Sequence, residues 1–276
     1  MLAIESAGIT DVGKKRKNNE DALLFDDDLR LYIVADGMGG HLAGEVASEL
    51  VVETIRGYLT RFKEGGDNEA PEDTDKPLSK EANRLLSGIK LANRGVYQAG
   101  RNDESYRGMG STVAAVFFTD DTLIAANVGD SPVYLVRKEN IELLSVTHSV
   151  LAEQTAKNPD AAKLLGAKYR HMLTRAVGIE ETVNPDICEM EYVDGDVITI
   201  SSDGLSDKIS PDEIFNVVKN ETPEIACRTL VNLANMRGGD DNISVIVLKV
   251  RTDKRDKKGI LGRVSNVFFS MKKLLT

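Results

Sequence analysis

Aspartate residues stand at the ends of several apolar segments in this chain, each beside a glycine or another aspartate. The four places are Asp36-Gly37, Gly129-Asp130, Asp203-Gly204 and Asp240-Asp241, and a fifth acidic pair, Glu20-Asp21, leads into an Ala-Leu-Leu segment. A single Asp-Gly beside a strand is a common turn signal. Several carboxylates at neighbouring strand ends would repel one another unless a cation lay between them. Oxygen ligands are typical of Mg²⁺, Mn²⁺ or Ca²⁺, so the pattern predicts a site for a hard divalent ion.

Other chemistries find less support in the sequence. The three histidines, His41, His148 and His171, are too widely spaced for a helical zinc motif. Cys188 and Cys227 form no C-x-x-C pair, which argues against a disulfide framework and against a cysteine zinc site. Neither a nucleophile-elbow serine nor a phosphate-binding P-loop is present.

Composition limits the class of protein. The chain has 276 residues, of which 41% are hydrophobic, enough for one large domain or two small ones. The net charge is −9, but residues 251–276 carry eight Lys/Arg and two Asp, so the first 250 residues carry −15. An acidic body argues against a nucleic-acid partner. With no signal-peptide pattern and no apolar run long enough to span a bilayer, we expect a cytoplasmic protein.

The elements that must position the acidic residues follow from periodicity. Strands are predicted for seven runs, most of them rich in Val and Ile: Leu2–Ile9, Leu31–Ala35, Thr112–Phe118, Thr122–Asn127, Val133–Val136, Val197–Ser201 and Ile243–Val250. Helices are predicted at Gly44–Phe62, Ser79–Gln98, Ile214–Val218 and Ala226–Met236. Strands in groups and helices in pairs indicate a layered α+β domain rather than βαβ alternation.

Two segments differ from this body. Residues 63–77 hold six Asp/Glu, two Gly and two Pro, which predicts a flexible insertion between helices. Residues 251–276 form a basic tail in which apolar residues recur every three or four positions after residue 260, as in an amphipathic helix. That helix has three possible roles: docking on the body, binding a partner or a second copy, or lying on an anionic membrane surface.

Eight motifs in order then resemble a known family. They are Thr10-Asp11-x-Gly13-x-x-Arg16-x-x-Asn19-Glu20-Asp21, Asp36-Gly37-Met38-Gly39-Gly40-His41 with the following Ala43-Gly44-Glu45, Gly108-Met109-Gly110-Ser111-Thr112, Asn127-Val128-Gly129-Asp130-Ser131, Thr147-His148-Ser149, Leu173-Thr174-Arg175-Ala176, Ser202-Asp203-Gly204 and Gly239-Asp240-Asp241-Asn242. Over residues 1–250 the chain is similar to the metal-dependent protein phosphatases (the PPM family, type 2C class) in their compact bacterial form.

The resemblance implies a fold and a set of residue roles. The fold is a four-layer α-β-β-α sandwich of two antiparallel sheets flanked by helix pairs. Asp36 would bridge two Mg²⁺ or Mn²⁺ ions, with Asp203 and Asp241 completing the shell of the first. The implied roles of the remaining site residues are as follows: the Gly37 carbonyl and Asp21 at the second metal, Glu20 acting there partly through water, Asp130 with Asp203 at a third and weaker metal, Arg16 on the substrate phosphate, and Asn242 and Asp207 as supports.

The activity implied is hydrolysis of phosphoserine and phosphothreonine on proteins, by in-line attack of a metal-bridging hydroxide. A bacterial Ser/Thr kinase and its targets would be the expected partners. Two rival functions remain: a binding module without activity, and a phosphatase of the same fold dedicated to one partner. The sequence departs from the eukaryotic members at Met38, where those have a histidine that acts as a general acid. We expect a metal-bound water to protonate the leaving group instead, with His41 as the nearest side-chain alternative.

Overall fold

The strands form two antiparallel sheets. The computed structural model describes residues 2–39, 43–65, 78–160, 165, 169 and 171–252. The first sheet has the order β1 (Ala3–Asp11), β11 (Ile243–Arg251), β10 (Val197–Ser201), β7 (Val133–Arg137) and β8 (Asn140–Leu143). The second has the order β2 (Asp21–Asp26), β3 (Leu31–Met38), β5 (Val113–Phe118), β6 (Thr122–Val128) and β9 (Asp186–Glu191), and the short β4 (Gly110–Ser111) pairs with the end of β3.

Helices cover the outer face of each sheet. The long α1 (Ala43–Lys63) and α2 (Lys80–Asn102) pack on the second sheet, against β3 and β6. The shorter α5 (Pro211–Asn220) and α6 (Pro223–Met236) lie over the first sheet. Two further helices, α3 (Val150–Lys157) and α4 (Asp203–Ser206), follow β8 and β10. This arrangement confirms the predicted four-layer α-β-β-α sandwich.

The central strands are apolar on both faces because both faces are covered. On β3, Ile33 packs under α1 and α2, whereas its neighbours Tyr32 and Val34 point into the layer between the two sheets. On β10, Ile198 and Ile200 enter that same layer. Successive side chains of a strand point to opposite faces, so a strand buried on both sides becomes a continuous apolar run. This is the pattern by which the seven strands were predicted.

The seven predicted strands and the four helices predicted within the body are present, with boundaries shifted by a few residues, but four strands and the helices α3 and α4 were not predicted. The missed strands β2, β8 and β9 lie at the edges of their sheets, and the missed β4 pairs only with the end of β3. At the acidic segment, α1 continues to Lys63, one residue into the predicted insertion, and residues 66–77 lie outside the described part of the chain. The predicted C-terminal helix also lies outside it, from residue 253 onward.

Within the described ranges, none of the helices combines the length and the apolar character needed to cross a membrane.

Candidate metal centre and active site

Acidic residues from both sheets meet at one end of the sandwich. Asp21, the first residue of β2, lies directly opposite Asp36 on β3 in the strand register. From the other sheet come Asp203, which begins α4 immediately after β10, and Asp241, two residues before β11. Asp36, Asp203 and Asp241 line a cleft of about 720 Å³ together with Asp130, and Asp21 lies buried beneath it.

Burial and mutual repulsion raise the pKa values of these carboxyl groups. Removal from water raises the pKa of Asp36 well above its ordinary value, and the neighbouring aspartates raise it further. The same two causes, burial first and then repulsion from Asp203, raise the pKa of Asp130 to about 7. Burial also raises the pKa of Asp203, with Asp207 as its strongest acidic neighbour. Positive charge placed among these carboxyl groups would favour their ionised forms.

One carboxylate oxygen of Asp21 marks a position at which a cation would be stabilising. The residue is 9% exposed, and burial raises the pKa of its carboxyl group to about 7, against the opposing effect of the nearby Ser244 and Ser202 hydroxyl groups. Oδ2 accepts a hydrogen bond from Ser202 Oγ at 2.8 Å, while Oδ1 is buried with no hydrogen-bond partner among the described residues. A buried, unpartnered carboxylate oxygen is costly, and a divalent ion would satisfy it. The donor set therefore fits Mg²⁺ or Mn²⁺.

The backbone of Asp36 is clamped by the residues that precede β5. Thr112 Oγ1 accepts from the Asp36 amide at 2.9 Å, and the Thr112 amide donates to the Asp36 carbonyl at 2.8 Å. The same carbonyl accepts from Ser111 Oγ at 3.0 Å, and Thr112 Oγ1 lies 2.8 Å from Ser131 Oγ. These bonds fix the acidic residue at the end of its strand. Thr112 and Ser202 were not among the predicted site residues.

Gly37 lets three segments approach with backbone contacts alone. A Cβ atom at this position would lie 2.1 Å from the Gly44 carbonyl oxygen at the start of α1 and 2.5 Å from the Glu20 carbonyl oxygen. The Gly37 amide donates to that Glu20 oxygen at 3.0 Å. Glu20 itself lines the cleft, and burial raises the pKa of its carboxyl group, partly opposed by Arg16. Gly37 and Glu20 thus lie beside Asp36, as predicted.

Asn242 joins the N-terminal loop to the start of β11. Its Nδ2 donates to the carbonyl oxygens of Val12 at 3.0 Å and Asn18 at 2.9 Å, and its Oδ1 accepts from the Glu20 amide at 2.8 Å. The side chain is buried. All of its amide groups are therefore used to hold the loop that carries Arg16 against the segment that carries Asp241.

Arg16 reaches the cleft from this loop. Its Nη2 donates to Asp241 Oδ2 at 2.8 Å, and about half of the side chain remains exposed. A guanidinium has five N–H donors in a planar fork, which suits phosphate oxygens. The group stands at the rim of the cleft that Asp36 lines, so it can contact a phosphoryl group bound there.

A buried histidine holds the turn that carries Asp130. The Gly129 amide donates to His148 Nδ1 at 3.0 Å, and the His148 amide donates back to the Gly129 carbonyl at 2.9 Å. His148 Nε2 lies 2.7 Å from Asp186 Oδ2, which also accepts from Arg175 Nη1 at 2.6 Å. With Nδ1 accepting, Nε2 carries the proton and donates to Asp186. His148 positions the Gly129-Asp130 turn, a role that sequence spacing did not indicate.

His171 lies at the edge of the acidic cluster. Its Nδ1 is 3.6 Å from Asp203 Oδ2 and 3.4 Å from Asp207 Oδ2. One ligand atom from each of these three residues lies within 4.8 Å of the others. The folded chain brings the histidine to two carboxylates that are more than thirty residues away, so no sequence spacing could reveal it. His41, the alternative candidate for a general acid, lies outside the described residues.

Known proteins share both the sequence and the architecture. The model of the family described as protein phosphatase 2C matches residues 13–229. A putative protein phosphatase 2C-type protein of Streptococcus pyogenes is 34% identical over 87% of this chain and 94% of its own length. The protein phosphatase PhpP of Streptococcus pneumoniae is 32% identical over 91% of this chain and 99% of its own.

Solved structures give the same result. The serine/threonine phosphatase PstP of Mycobacterium tuberculosis superposes with a TM-score of 0.78 at 27% identity, covering 91% of this chain and all of that one. A structure of the PstP catalytic domain in complex with two manganese ions superposes with a TM-score of 0.76 at 28% identity, again over 91% of this chain and all of that one.

Proposed function

This chain belongs to the protein phosphatase 2C family, and we propose that its clustered aspartates hold the divalent ions with which it removes phosphate from phosphoserine and phosphothreonine in proteins. It is a metal-dependent serine/threonine protein phosphatase, and its substrates are phosphoproteins. The family uses Mg²⁺ or Mn²⁺, and a related catalytic domain binds two manganese ions.

The proposed ligands are the cleft carboxylates and one carbonyl group. Asp36 would be shared between two ions, Asp203 and Asp241 would complete the shell of one, and Asp21 with the Gly37 carbonyl would serve the other. Asp130 and Asp203 are the proposed ligands of a third ion. When bound, the ions supply positive charge that polarises the phosphoryl group and makes water more acidic.

The remaining residues orient the reactants. Arg16 binds phosphoryl oxygens through its guanidinium and counters the charge that develops on them. Asn242 keeps the Arg16 loop against Asp241, Glu20 acts beside Gly37, and Asp207 supports the end of the site at Asp203. Met38 has no exchangeable proton and so cannot protonate the leaving alkoxide.

One observation carries this assignment. Four aspartates from two different sheets converge at a single end of the sandwich, and Asp21 Oδ1 lies there buried and unpartnered among the described residues. A purely structural cluster of this kind would be destabilising without cations. The rival of a binding module without activity does not explain why every one of these acidic residues is present.

The test is hydrolysis of p-nitrophenyl phosphate and of a phosphothreonine peptide with Mn²⁺, with Mg²⁺ and with EDTA. Release from both substrates that EDTA abolishes is expected. A folded protein that releases no phosphate with either metal would instead favour the binding module or an enzyme dedicated to one partner. Those two would be separated by testing candidate phosphoproteins directly.

The proposal also covers the bounds of the catalytic domain and the identity of its substrates. The catalytic domain is proposed to cover residues 1–250, because β1 and β11 at its two ends pair along their whole length. Residues 63–77 and 251–276 are proposed as an acidic insertion and a basic tail, with the corrections that Lys63 ends α1 and Arg251 ends β11. A bacterial-type Ser/Thr kinase and its targets are the proposed substrates. Dephosphorylation of an autophosphorylated kinase by the metal-loaded protein, compared with an unrelated phosphoprotein, tests this choice.

A further inference from the structure

The cleft has a second half that the metal chemistry does not use. Beyond the aspartates it is lined by apolar side chains, with Met38, Ile179 and Val183 among them, and by Glu180 at the rim. Ile179 is 47% exposed, one of few large apolar side chains so exposed in the described part of the molecule. An exposed apolar residue inside a functional cleft is a candidate contact for a ligand.

This apolar half directly adjoins the metal half. Met38 lies two residues after Asp36 on β3 and pairs with Gly110 on β4. A Cβ atom at Gly110 would lie 2.8 Å from Ile179 Cδ1 and 2.9 Å from Met38 Cε, so the two side chains meet above that glycine. Two strand residues span about 7 Å. An extended peptide advances about 3.5 Å per residue, so a residue two or three positions from the phosphorylated one reaches Ile179.

The loop that carries Ile179 is held on both sides. On one side, Val177 and Ser111 exchange backbone hydrogen bonds at 2.8 and 3.0 Å. On the other, the buried Asn93 of α2 accepts from the Gly178 amide at 2.8 Å and donates to the carbonyl oxygens of Glu180 and Glu181, each at 3.0 Å.

Gly178 completes this support. It has a φ of +86°, and a Cβ atom there would lie 2.2 Å from Val96 Cγ1, so the loop packs on α2 as only a glycine allows. Ile179 is therefore exposed but fixed in position, because hydrogen bonds hold the backbone on both sides of it. An apolar contact that is already ordered loses little entropy when a ligand binds it.

From this geometry we infer that Ile179 and Met38 form an apolar subsite for a hydrophobic side chain of the substrate, two or three residues from the phosphorylated residue. The inference rests on the proposed phosphatase function, since a phosphoryl group bound at the aspartates would place the rest of the peptide across the apolar half of the cleft. It assigns a substrate class: phosphoproteins with a Leu, Ile, Val, Met or Phe near the phosphorylated residue.

A set of phosphothreonine peptides tests the subsite. One leucine is moved through positions −3 to +3 of a serine-glycine background, and kcat/KM for phosphate release with Mn²⁺ is compared with that of the peptide lacking leucine. We expect a gain of about 10-fold at one or two positions. The readout is the ratio between two peptides on the same enzyme, so a general loss of activity cancels.

Two variants then locate the effect. Ile179→Ser should reduce the ratio to about one. Ile225→Ser is the matched control, since Ile225 is the same residue type with nearly the same exposure, 49%, but lies on α6 outside the cleft. It should keep the full ratio.

Each alternative result is decisive. No leucine preference at any position, or a preference that survives Ile179→Ser, overturns the subsite. So does a preference that both variants lose. Hydrolysis of the background peptide by the unsubstituted protein is measured first, because its absence would count against the phosphatase function itself rather than against the subsite alone.

Discussion

Asp36 is the residue on which the electrostatics of the cleft converge. Its carboxyl group is removed from water and faces Asp21, Asp203, Asp241 and Asp130, all of which raise its pKa. A position with that many acidic neighbours is where a shared cation lowers the energy most. Because the backbone of Asp36 is fixed by Thr112 and Ser111, its carboxylate is held in one place at the end of β3.

Asp36→Asn should therefore abolish turnover. The amide keeps the size of the side chain but removes the charge on which both ions depend, and we expect a fall in kcat of about 1000-fold or more. Asp28→Asn, at an exposed aspartate outside the cleft, is the control and should behave as the unsubstituted protein. Near-normal rates for Asp36→Asn at saturating Mn²⁺ would show that the bridging assignment is wrong.

Arg16 should act mainly on substrate binding. Arg16→Ala removes the fork of donors at the cleft rim, and KM for a phosphopeptide should rise by about 10-fold or more, since hydrogen bonds to charged groups are the strong ones. Arg16→Lys keeps a positive charge without the planar set of donors. Its KM should lie between those of the unsubstituted protein and Arg16→Ala. Steady-state kinetics separate the parameters, and a large loss in kcat with KM unchanged would contradict this role.

At the scale of elements, the site depends on how strand ends are joined. The ends of β3 and β5 are tied through Thr112, whose buried hydroxyl serves both the Asp36 amide and Ser131. Thr112→Val keeps the shape but leaves both groups without this partner. The free energy of unfolding should fall by about 1–3 kcal/mol. Thr112→Ser, which restores the hydroxyl, should recover most of it in urea unfolding followed by circular dichroism.

If Thr112→Val were as stable as the unsubstituted protein, the hydroxyl of Thr112 would contribute nothing to the stability of the fold. Metal-dependent activity of the same variant then gives a second measurement. Loss of activity without loss of stability would mean that the hydroxyl positions the carboxylate but does not support the fold.

Periodicity predicted the elements that are covered on both sides and missed those at the margins. Strands such as β5 are apolar throughout because both faces are buried. The missed β8 and β9 are edge strands that mix charged and apolar residues, as exposed edges do. The aspartates could be found from sequence because each follows or precedes an apolar run. His148, Thr112 and His171 could not, because their partners come from distant parts of the chain.

The tail is an element whose role remains a prediction. Removing residues 253–276 should leave hydrolysis of p-nitrophenyl phosphate unchanged, because β11, which lies between β1 and β10 in the first sheet, ends at Arg251. Lost activity would mean that the tail is part of the folded body.

Comparison of the full chain with the truncated chain then separates the three roles proposed for the tail. Sedimentation with anionic vesicles would indicate a membrane surface, a difference in molar mass would indicate self-association, and a lower melting temperature without either would indicate docking on the body.

At the scale of the whole molecule, the buried acidic cluster lowers the stability of the folded protein when no metal is bound. Asp21 and Asp130 have pKa values raised to about 7 by burial and by their acidic neighbours. In the unfolded chain these groups ionise near pH 4. Between the two values the folded state binds more protons than the unfolded state, so the stability of the metal-free protein falls as the pH rises from about 4 to 7.

Carboxyl groups whose pKa is lowered have the opposite effect: they make the protein more stable as the pH rises. They do so in a lower pH range than the buried cluster. Arg237 lowers the pKa of Glu213 to about 2, and the pKa of Asp186 is also lowered, by His148 and Arg175 against the effect of burial. Their contribution is nearly complete by pH 5. The interval from pH 5 to pH 7.5 therefore reports on the buried cluster.

Calorimetry at pH 5 and pH 7.5 tests this pH dependence of stability. It is preferred to fluorescence because the chain has no tryptophan. In EDTA the melting temperature should be lower at pH 7.5 than at pH 5, and Mn²⁺ should raise it more at pH 7.5, where fewer protons compete for the carboxylates. Asp21→Asn, which cannot ionise, should lose part of both effects and be more stable than the unsubstituted protein in EDTA at pH 7.5. A metal-free protein that became more stable toward pH 7.5 would show that the cluster is not under electrostatic strain, and the case for cations at its centre would fail with it.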